Sequence, residues 1–364
     1  MKKLLLLTSQ PVKGGHRSSS NAIKAAILQL DSSIEVNDVD AMAFFPGYRG
    51  QGEGYTRLTT TFMWFYHIFF HLTSFFHRFC SFILAKPIYK RFKRLIKEYN
   101  PDMILTVNPI FVGSIRRCLK RMKLNIPLCV CIIDLVNHSH LWHEKKACLT
   151  FVPTQKMKDY LIKKGFQPEK VFYSGFPINT KYENVYKVVK DDILVPEVLM
   201  VNPSLKRAKV IKNLILTTLK HQLNLTVVIY NNPKLKKYLE KRLKNLDKLT
   251  ILDYVNDMPT RLAQSDLLIT KAGPNMILEA VKMGVPLVIT GYIVGQEAKN
   301  HEYIVENGYG LFADTPKKLD QVLTKMFANN YEELKNISHR QASCPDINGA
   351  SIVAQEIIKL MKEY

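Results

Sequence analysis

Residues Ser265 to Asn300, SDLLITKAGPNMILEAVKMGVPLVITGYIVGQEAKN, decide the fold. Leu267–Thr270 is a short apolar run between turn residues and reads as a buried strand. The turn Lys271-Ala272-Gly273-Pro274 follows, with Gly273 letting the chain reverse. Pro274 suits the first helical position, where a missing N–H leaves no bond unmade. A helix is expected over Asn275–Met283, a second strand over Pro286–Thr290, and then a loop ending in Gln296-Glu297. This helix starts with free amides and a positive dipole end just past a strand tip. Gly273, Pro274, Asn275 and Met276 thus form a seat for phosphate, to which Lys271 adds charge. Glu279, one to two turns in, is placed for a ribose, and Gln296, Glu297 and Asn300 for sugar hydroxyls.

Outward from this stretch, strands and helices alternate. The first series reads Lys3–Thr8 (strand), Ser18–Leu30 (helix), Ile34–Val39 (strand) and a long helical region to Tyr99. It continues with Asp102–Val107 (strand), Phe111–Lys123 (helix) and Leu128–Ile133 (strand). The second series reads Val198–Val201, Lys206–His221, Leu225–Tyr230, Pro233–Asn245 and Leu249–Leu252, then enters the opening stretch. Such alternation specifies an α/β protein with doubly wound parallel sheets. Two series imply two Rossmann-like lobes with an interlobe cleft. The expected division is residues 1–178, a linker at 179–196, a second lobe at 197–348 and a final helix at 349–364.

With 364 residues the chain is long enough for two cores, and a hydrophobic fraction of 47% excludes disorder. Fifty-two Lys and Arg against 31 Asp and Glu give a net charge of +21, which calls for an anionic partner. Without a recognition motif, nucleic acid is not expected. Six scattered cysteines with no CxxC argue against a zinc site or a disulfide framework and fit a reducing cytosol. The apolar run of the N-terminus stops at Leu7, too short for a signal peptide core of about 7–15 residues, so a buried first strand is expected. GxGxxG and GxxxxGK[ST] are absent, and His143-Glu144-Lys145-Lys146-Ala147 lacks the second His of HExxH. With His138, His140 and Trp142 it forms a wet aromatic loop at an acceptor or bilayer boundary rather than a metal site.

One segment departs from the alternation. Phe62–Ala85 is dense in aromatics and, at 24 residues, long enough for a bilayer, but His67, His71, His77 and Arg78 oppose a span. Lys86–Lys97 then carries six basic residues and no acidic one, with apolar residues interleaved. Together they read as a membrane-surface element, against the alternative of core aromatics beside a solvated basic face.

Three further patterns stand in the first half: Gly14-Gly15-His16-Arg17-Ser18-Ser19-Ser20; Ile133-Asp134-Leu135 with His140, Trp142 and His143; and Phe151-Val152-Pro153-Thr154 with Gly175-Phe176-Pro177. With the ITKAGP turn, the Glu279-Ala280 pair and the GQE loop ahead of Asn300, their order resembles the family-28 type glycosyltransferases. The likeness is greatest to the monogalactosyldiacylglycerol synthase and processive diacylglycerol glucosyltransferase group. That resemblance implies the GT-B arrangement and inverting transfer of a hexose from a UDP-sugar to a membrane lipid, diacylglycerol above all. It implies no cofactor and no obligatory metal, and a peripheral place on the cytoplasmic membrane face. The second lobe would bind the nucleotide, the first the lipid and bilayer, and the last helix would pack back on the first lobe. His16 would be the base, its imidazole titrating near working pH, with Asp134 as runner-up or orienting group. Gly15 would approach the donor and the backbone of Val255 would read uracil. Phe65, Phe69, Lys90, Arg91, Lys93, Arg94 and Trp142 would meet acceptor and membrane.

The group has glycines after the first strand of its second lobe; here the place reads Val201-Asn202-Pro203-Ser204-Leu205-Lys206. Proline removes a donor and stiffens that turn. Two other readings stay open: N-acetylglucosaminyl transfer to a polyprenyl-diphosphate cell-wall precursor, and a non-catalytic basic membrane-binding protein on the same fold.

Overall fold

The structure, a computed structural model, describes residues 1–9, 15–46, 63–187, 193–203, 207–230 and 232–364. Gly14 and the Ser204–Lys206 end of the altered turn lie outside the described residues, as do the side chains of Phe65 and Phe69. Two compact units result. One comprises Met1–Thr180, Val294–Gln296 and Pro345–Tyr364; the other comprises Lys181–Ile293 and Glu297–Cys344.

The first unit runs β1 (Lys3–Thr8), α1 (Gly15–Leu30), β2 (Glu35–Asp40), α2 (Met63–Phe75), α3 (His77–Tyr99), β3 (Met103–Thr106), α4 (Pro109–Met122), β4 (Leu128–Cys131), β5 (Thr150–Val152), α5 (Gln155–Lys163) and β6 (Val171–Tyr173). Its six strands are parallel, in the order β2-β1-β3-β4-β5-β6. Leu4–Leu7 of β1 are fully buried, as a run of four leucines in a central parallel strand must be. Ile88, Phe92 and Ile96 of α3 and Phe111 and Ile115 of α4 pack with Leu5, Leu7 and Ile104 into one core. Asn100, in the left-handed conformation (φ 47°), ends α3, and its N–H donates to Ile96 O. The long helical region expected up to Tyr99 is two helices, parted at Phe76. Helix α13 (Gly349–Glu363) packs on α1. Among the described residues no helix is long and apolar enough to cross a membrane.

The second unit runs β7 (Glu197–Val201), α6 (Ala208–Thr218), β8 (Asn224–Val228), α7 (Pro233–Arg242), β9 (Leu249–Leu252), α8 (Met258–Gln264), β10 (Leu267–Lys271), α9 (Pro274–Lys282), β11 (Leu287–Gly291), α10 (Asn300–Glu306), β12 (Gly310–Phe312), α11 (Pro316–Met326) and α12 (Glu332–Ala342). Its strands are also parallel, in the order β12-β11-β10-β7-β8-β9. Met200, Val227, Ile269 and Val288 of four strands meet Ile211, Leu214 and Leu323 of the covering helices.

Each sheet reverses its strand order once, between β1 and β3 and between β7 and β10. In open α/β sheets ligands bind beyond the carboxyl ends of strands at such a switch point. The loops leaving β1, β3, β7 and β10 are therefore where functional groups should gather.

Candidate active site

At the first switch point, His16 lies in the first turn of α1 and is half-buried. Its Nδ1 is 2.7 Å from the carbonyl oxygen of Val107, just past β3. A carbonyl can only accept, so Nδ1 carries the proton and Nε2 keeps a free lone pair. Burial lowers the pKa of the ring, with the bond to Val107 opposing in part. The imidazole is thus held neutral, in the tautomer that can take a proton at Nε2. Gly15, the first residue of α1, is exposed beside it.

Asp134 follows β4 and is 3% exposed. Its Oδ2 accepts from Trp142 Nε1 at 2.7 Å and its Oδ1 from Gln296 Nε2 at 2.7 Å. Two expectations change here. Trp142 is wholly buried as the anchor of Asp134, not a boundary aromatic. Gln296, expected among the donor-binding groups, spends its amide on Asp134 instead. Neighbouring Gly295 has φ +85°, and a Cβ there would fall 2.9 Å from a ring carbon of Phe70. Only glycine meets both demands.

The histidines of the loop pack against one another. His138 Nε2 lies 2.9 Å from His143 Nε2, the His140 and His143 rings stack at 4.6 Å, and His140 Nε2 reaches the Tyr160 hydroxyl at 3.3 Å. Burial first, then the neighbouring imidazoles, lower the pKa of His138 to about 4 and of His143 to about 2. His138 and His143 are thus uncharged near neutral pH, and His140 is shifted the same way, by burial and by the charge of His77.

At the second switch point, α9 begins at Pro274, as the sequence reading places it. Gly273 precedes it with φ −75° and ψ 126°, an extended conformation open to any residue. Space rather than an unusual turn is what a side chain here would meet: a Cβ would stand 3.0 Å from Lys271 Nζ, which would have to shift slightly, and 3.6 Å from Glu297 Oε1, an ordinary contact. Lys271 and Glu297 form an ion pair over that spot, so Lys271 is not a free charge, and Glu297 also accepts from Ile293 N at 2.9 Å. Asn275 and Met276 are half-buried in the first turn. Asn300 is 1% exposed; its Nδ2 donates to Ala272 O at 2.9 Å, while Oδ1 has no partner among the described residues. Such a bare buried acceptor costs about 1–3 kcal/mol until a donor reaches it.

Glu279, one turn further along α9, is 7% exposed, so it is not a solvated helical glutamate. Tyr182 donates its hydroxyl to Glu279 Oε2 at 2.8 Å. Burial raises the carboxyl pKa to about 7, against the downward pull of that bond. Tyr182 was invisible to sequence reasoning: it stands 97 positions away in a turn at Thr180–Tyr182, with no motif around it. Tyr230 after β8 and Tyr254 after β9 lie ring to ring at 5.4 Å, and Val255 follows them in the loop, half-buried. Among the described residues of the altered turn after β7, Asn202 has the positive φ that glycine favours. Asn202 takes φ +39°, a region asparagine tolerates, and its Oδ1 accepts from Tyr230 N at 3.0 Å.

Helices α2 and α3 present a stripe of exposed apolar side chains: Ile68, Leu72, Phe75, Phe76, Phe79 and Phe82. Phe75 is 79% exposed, which excludes a core role for it. Lys86, Lys90, Lys93 and Arg94 continue along α3 as exposed residues. Arg91 is a correction: its guanidinium donates to the carbonyls of Ala43 and Phe45 at 2.7 and 2.9 Å and so braces its own lobe.

Two Rossmann-like lobes with these switch-point groups define a protein of the nucleotide-sugar-handling class. The family pattern for monogalactosyldiacylglycerol (MGDG) synthase matches residues 16–178, and that for the glycosyltransferase family 28 C-terminal domain matches residues 203–350. Among relatives, the probable monogalactosyldiacylglycerol synthase 3, chloroplastic, of Oryza sativa subsp. japonica is 25% identical over 100% of this chain and 75% of its own. The processive diacylglycerol beta-glucosyltransferase of Staphylococcus aureus (strain Newman) is 30% identical over 67% of this chain and 63% of its own. In fold, the chain is similar to the S. aureus MnaA–UDP co-structure, with TM-score 0.66 and 15% identity over 100% of this chain and 97% of that one. The chain belongs to the monogalactosyldiacylglycerol synthase and processive diacylglycerol glucosyltransferase group of family-28 type glycosyltransferases. It is a glycosyltransferase.

Proposed function

We propose that this enzyme moves a hexose from a UDP-sugar to diacylglycerol at a membrane surface, inverting the sugar's anomeric carbon. The observation that carries the reading is the geometry of His16: a half-buried imidazole whose Nδ1 proton is committed to Val107 and whose pKa burial lowers, leaving Nε2 to accept a proton. As the acceptor hydroxyl attacks, its proton passes to Nε2; general-base help of this kind contributes about 10²–10⁴-fold. The departing diphosphate gains charge, and the amides of Asn275 and Met276 at the start of α9 meet it, together with the helix dipole. Asn300 Oδ1, bare at present, accepts from a sugar hydroxyl, and Glu279 from the ribose. Asp134, filled by two donors, orients the loop rather than taking the proton.

The names of the relatives support the acceptor, and the UDP held by the similar MnaA co-structure supports the donor. The apolar stripe of α2 and α3 enters the lipid surface while Lys86, Lys90, Lys93 and Arg94 face anionic headgroups, each adding about 1 kcal/mol when well placed. Six free cysteines fit the cytosolic leaflet.

Radiolabelled UDP-glucose and UDP-galactose, each offered with liposomes containing diacylglycerol, test the whole. Labelled glycolipid made by the parent and not by His16→Ala is the expected result. Transfer to polyprenyl diphosphate alone would replace the acceptor. UDP-sugar that neither binds nor turns over would leave a membrane-binding protein.

A further inference from the structure

Glu279 is a carboxyl with one oxygen occupied and one open. Oε2 is held by Tyr182, whereas Oε1 has no hydrogen-bond partner among the described residues. Tyr182 comes from the turn that begins the second unit and is 5% exposed. Its burial and the neighbouring Glu279 charge push the phenol pKa far up, so it stays a donor at every working pH. The other titratable groups around the pair are few. Tyr230 faces Glu279, Tyr254 adjoins Tyr230, and the Asp257–Arg261 ion pair (2.9 Å) stands beyond Tyr230. Among these described groups, none but Tyr182 supplies a hydrogen-bond donor to the carboxyl.

We infer that Tyr182 is a positioning residue for donor binding: it pins one oxygen of Glu279 so that the other faces the ribose hydroxyls of the UDP-sugar. The inference rests on the reading of α9 as the nucleotide seat and deepens it. A carboxylate accepts from a ribose hydroxyl at full strength, whereas a protonated carboxyl accepts weakly and must find an acceptor of its own. Tyr182 favours the ionised form because its hydroxyl bonds to it; burial opposes, and the balance lies near neutrality, at about 7. UDP binding below that pH therefore expels a proton from Glu279. Removing the phenol hydroxyl lets burial act unopposed, and the pH at which binding fails moves upward.

Calorimetric titration of the full chain with UDP and with 2′,3′-dideoxy-UDP, from pH 6 to pH 9, tests this. Proton uptake by the diphosphate is common to both ligands and cancels in their comparison. For the parent, UDP should weaken as pH falls through about 7 while the dideoxy compound does not follow; near pH 6 the loss approaches tenfold, one pH unit being a factor of ten in the ionised form. Tyr182→Phe, which keeps the ring, should bind UDP about 3–10-fold more weakly at pH 7 and within about twofold of the parent at pH 9. Coincident profiles for Tyr182→Phe and parent overturn the role of Tyr182. Parallel profiles for the two ligands in the parent, which need no variant, overturn the ribose contact of Glu279. A parent that binds UDP at no pH would remove the donor reading and this inference together.

Discussion

At the switch point of the first lobe the two candidate catalytic groups are met by partners from their own chain, His16 by Val107 and Asp134 by Trp142 and Gln296, while the buried hydroxyls of Thr8 and Ser19 have none among the described residues. At the switch point of the second lobe the candidate donor-binding acceptors are only partly met among the described residues. Asn300 keeps a bare Oδ1, and Glu279 has one donor for two oxygens. The first arrangement fixes a tautomer and a loop before any ligand arrives, which is what a proton acceptor needs. The second leaves acceptors under-satisfied, so that a ligand rich in hydroxyls repairs the structure as it binds. The first lobe is built to react and the second to hold.

The largest test of that division is His16→Ala. Turnover should fall about 10²–10⁴-fold while UDP affinity stays within about twofold, read from product formation and calorimetry. A matching fall in affinity would break the comparison. Since burial lowers the pKa of His16, the parent's base stays neutral to below the ordinary 6.5, and kcat should decline only as pH falls under that value.

Next in size is a pH dependence of stability in the second lobe. The folded-state pKa of Glu279 is raised from 4.5 to about 7, so the folded chain holds this proton more tightly than the unfolded one. Glu279's contribution to stability is then fully present below pH 4.5 and is lost as pH rises to about 7, by about 3 kcal/mol at most. Chemical denaturation at several pH values should show this slope, Glu279→Gln should flatten it, and saturating UDP should oppose it. A slope unchanged by Glu279→Gln would assign the effect elsewhere.

Smaller is Trp142→Phe, which leaves Asp134 one donor short and should lower stability by about 1–3 kcal/mol. UDP should not restore it, since the defect lies in the first lobe; full rescue by UDP would blur the distinction between lobes. The smallest effect per residue concerns the membrane face. Lys90→Gln, Lys93→Gln or Arg94→Gln should each weaken association with anionic liposomes by about 1 kcal/mol, less at high salt. Arg91→Gln should act instead on stability, because its guanidinium holds Ala43 and Phe45.

Much of this was legible in the residues. Buried strands such as Leu4–Leu7 and Leu267–Ile269 announce themselves as uninterrupted apolar runs, and Pro274 marks the start of α9. Strands of three residues, Thr150–Val152 and Val171–Tyr173, have no counterpart in the sequence reading, because three residues carry no period. The surroundings of Gly273 were readable only in part: that it is small is in the sequence, that it lies under the Lys271–Glu297 ion pair is not. Trp142 misled for a general reason, since an indole beside histidines suits a wet boundary and a buried anchor equally well.

The order of apolar runs and turn residues was enough, alone, to specify two doubly wound sheets and the loops at which ligands meet them. Local chemistry sets where strands end and helices begin, and the sheet places those ends. Only the folded chain decided which side chains stand free. Tyr182 reaches Glu279, and Gln296 reaches Asp134, across 97 and 162 positions. Such pairings depend on directions in space, which no pattern along the chain contains.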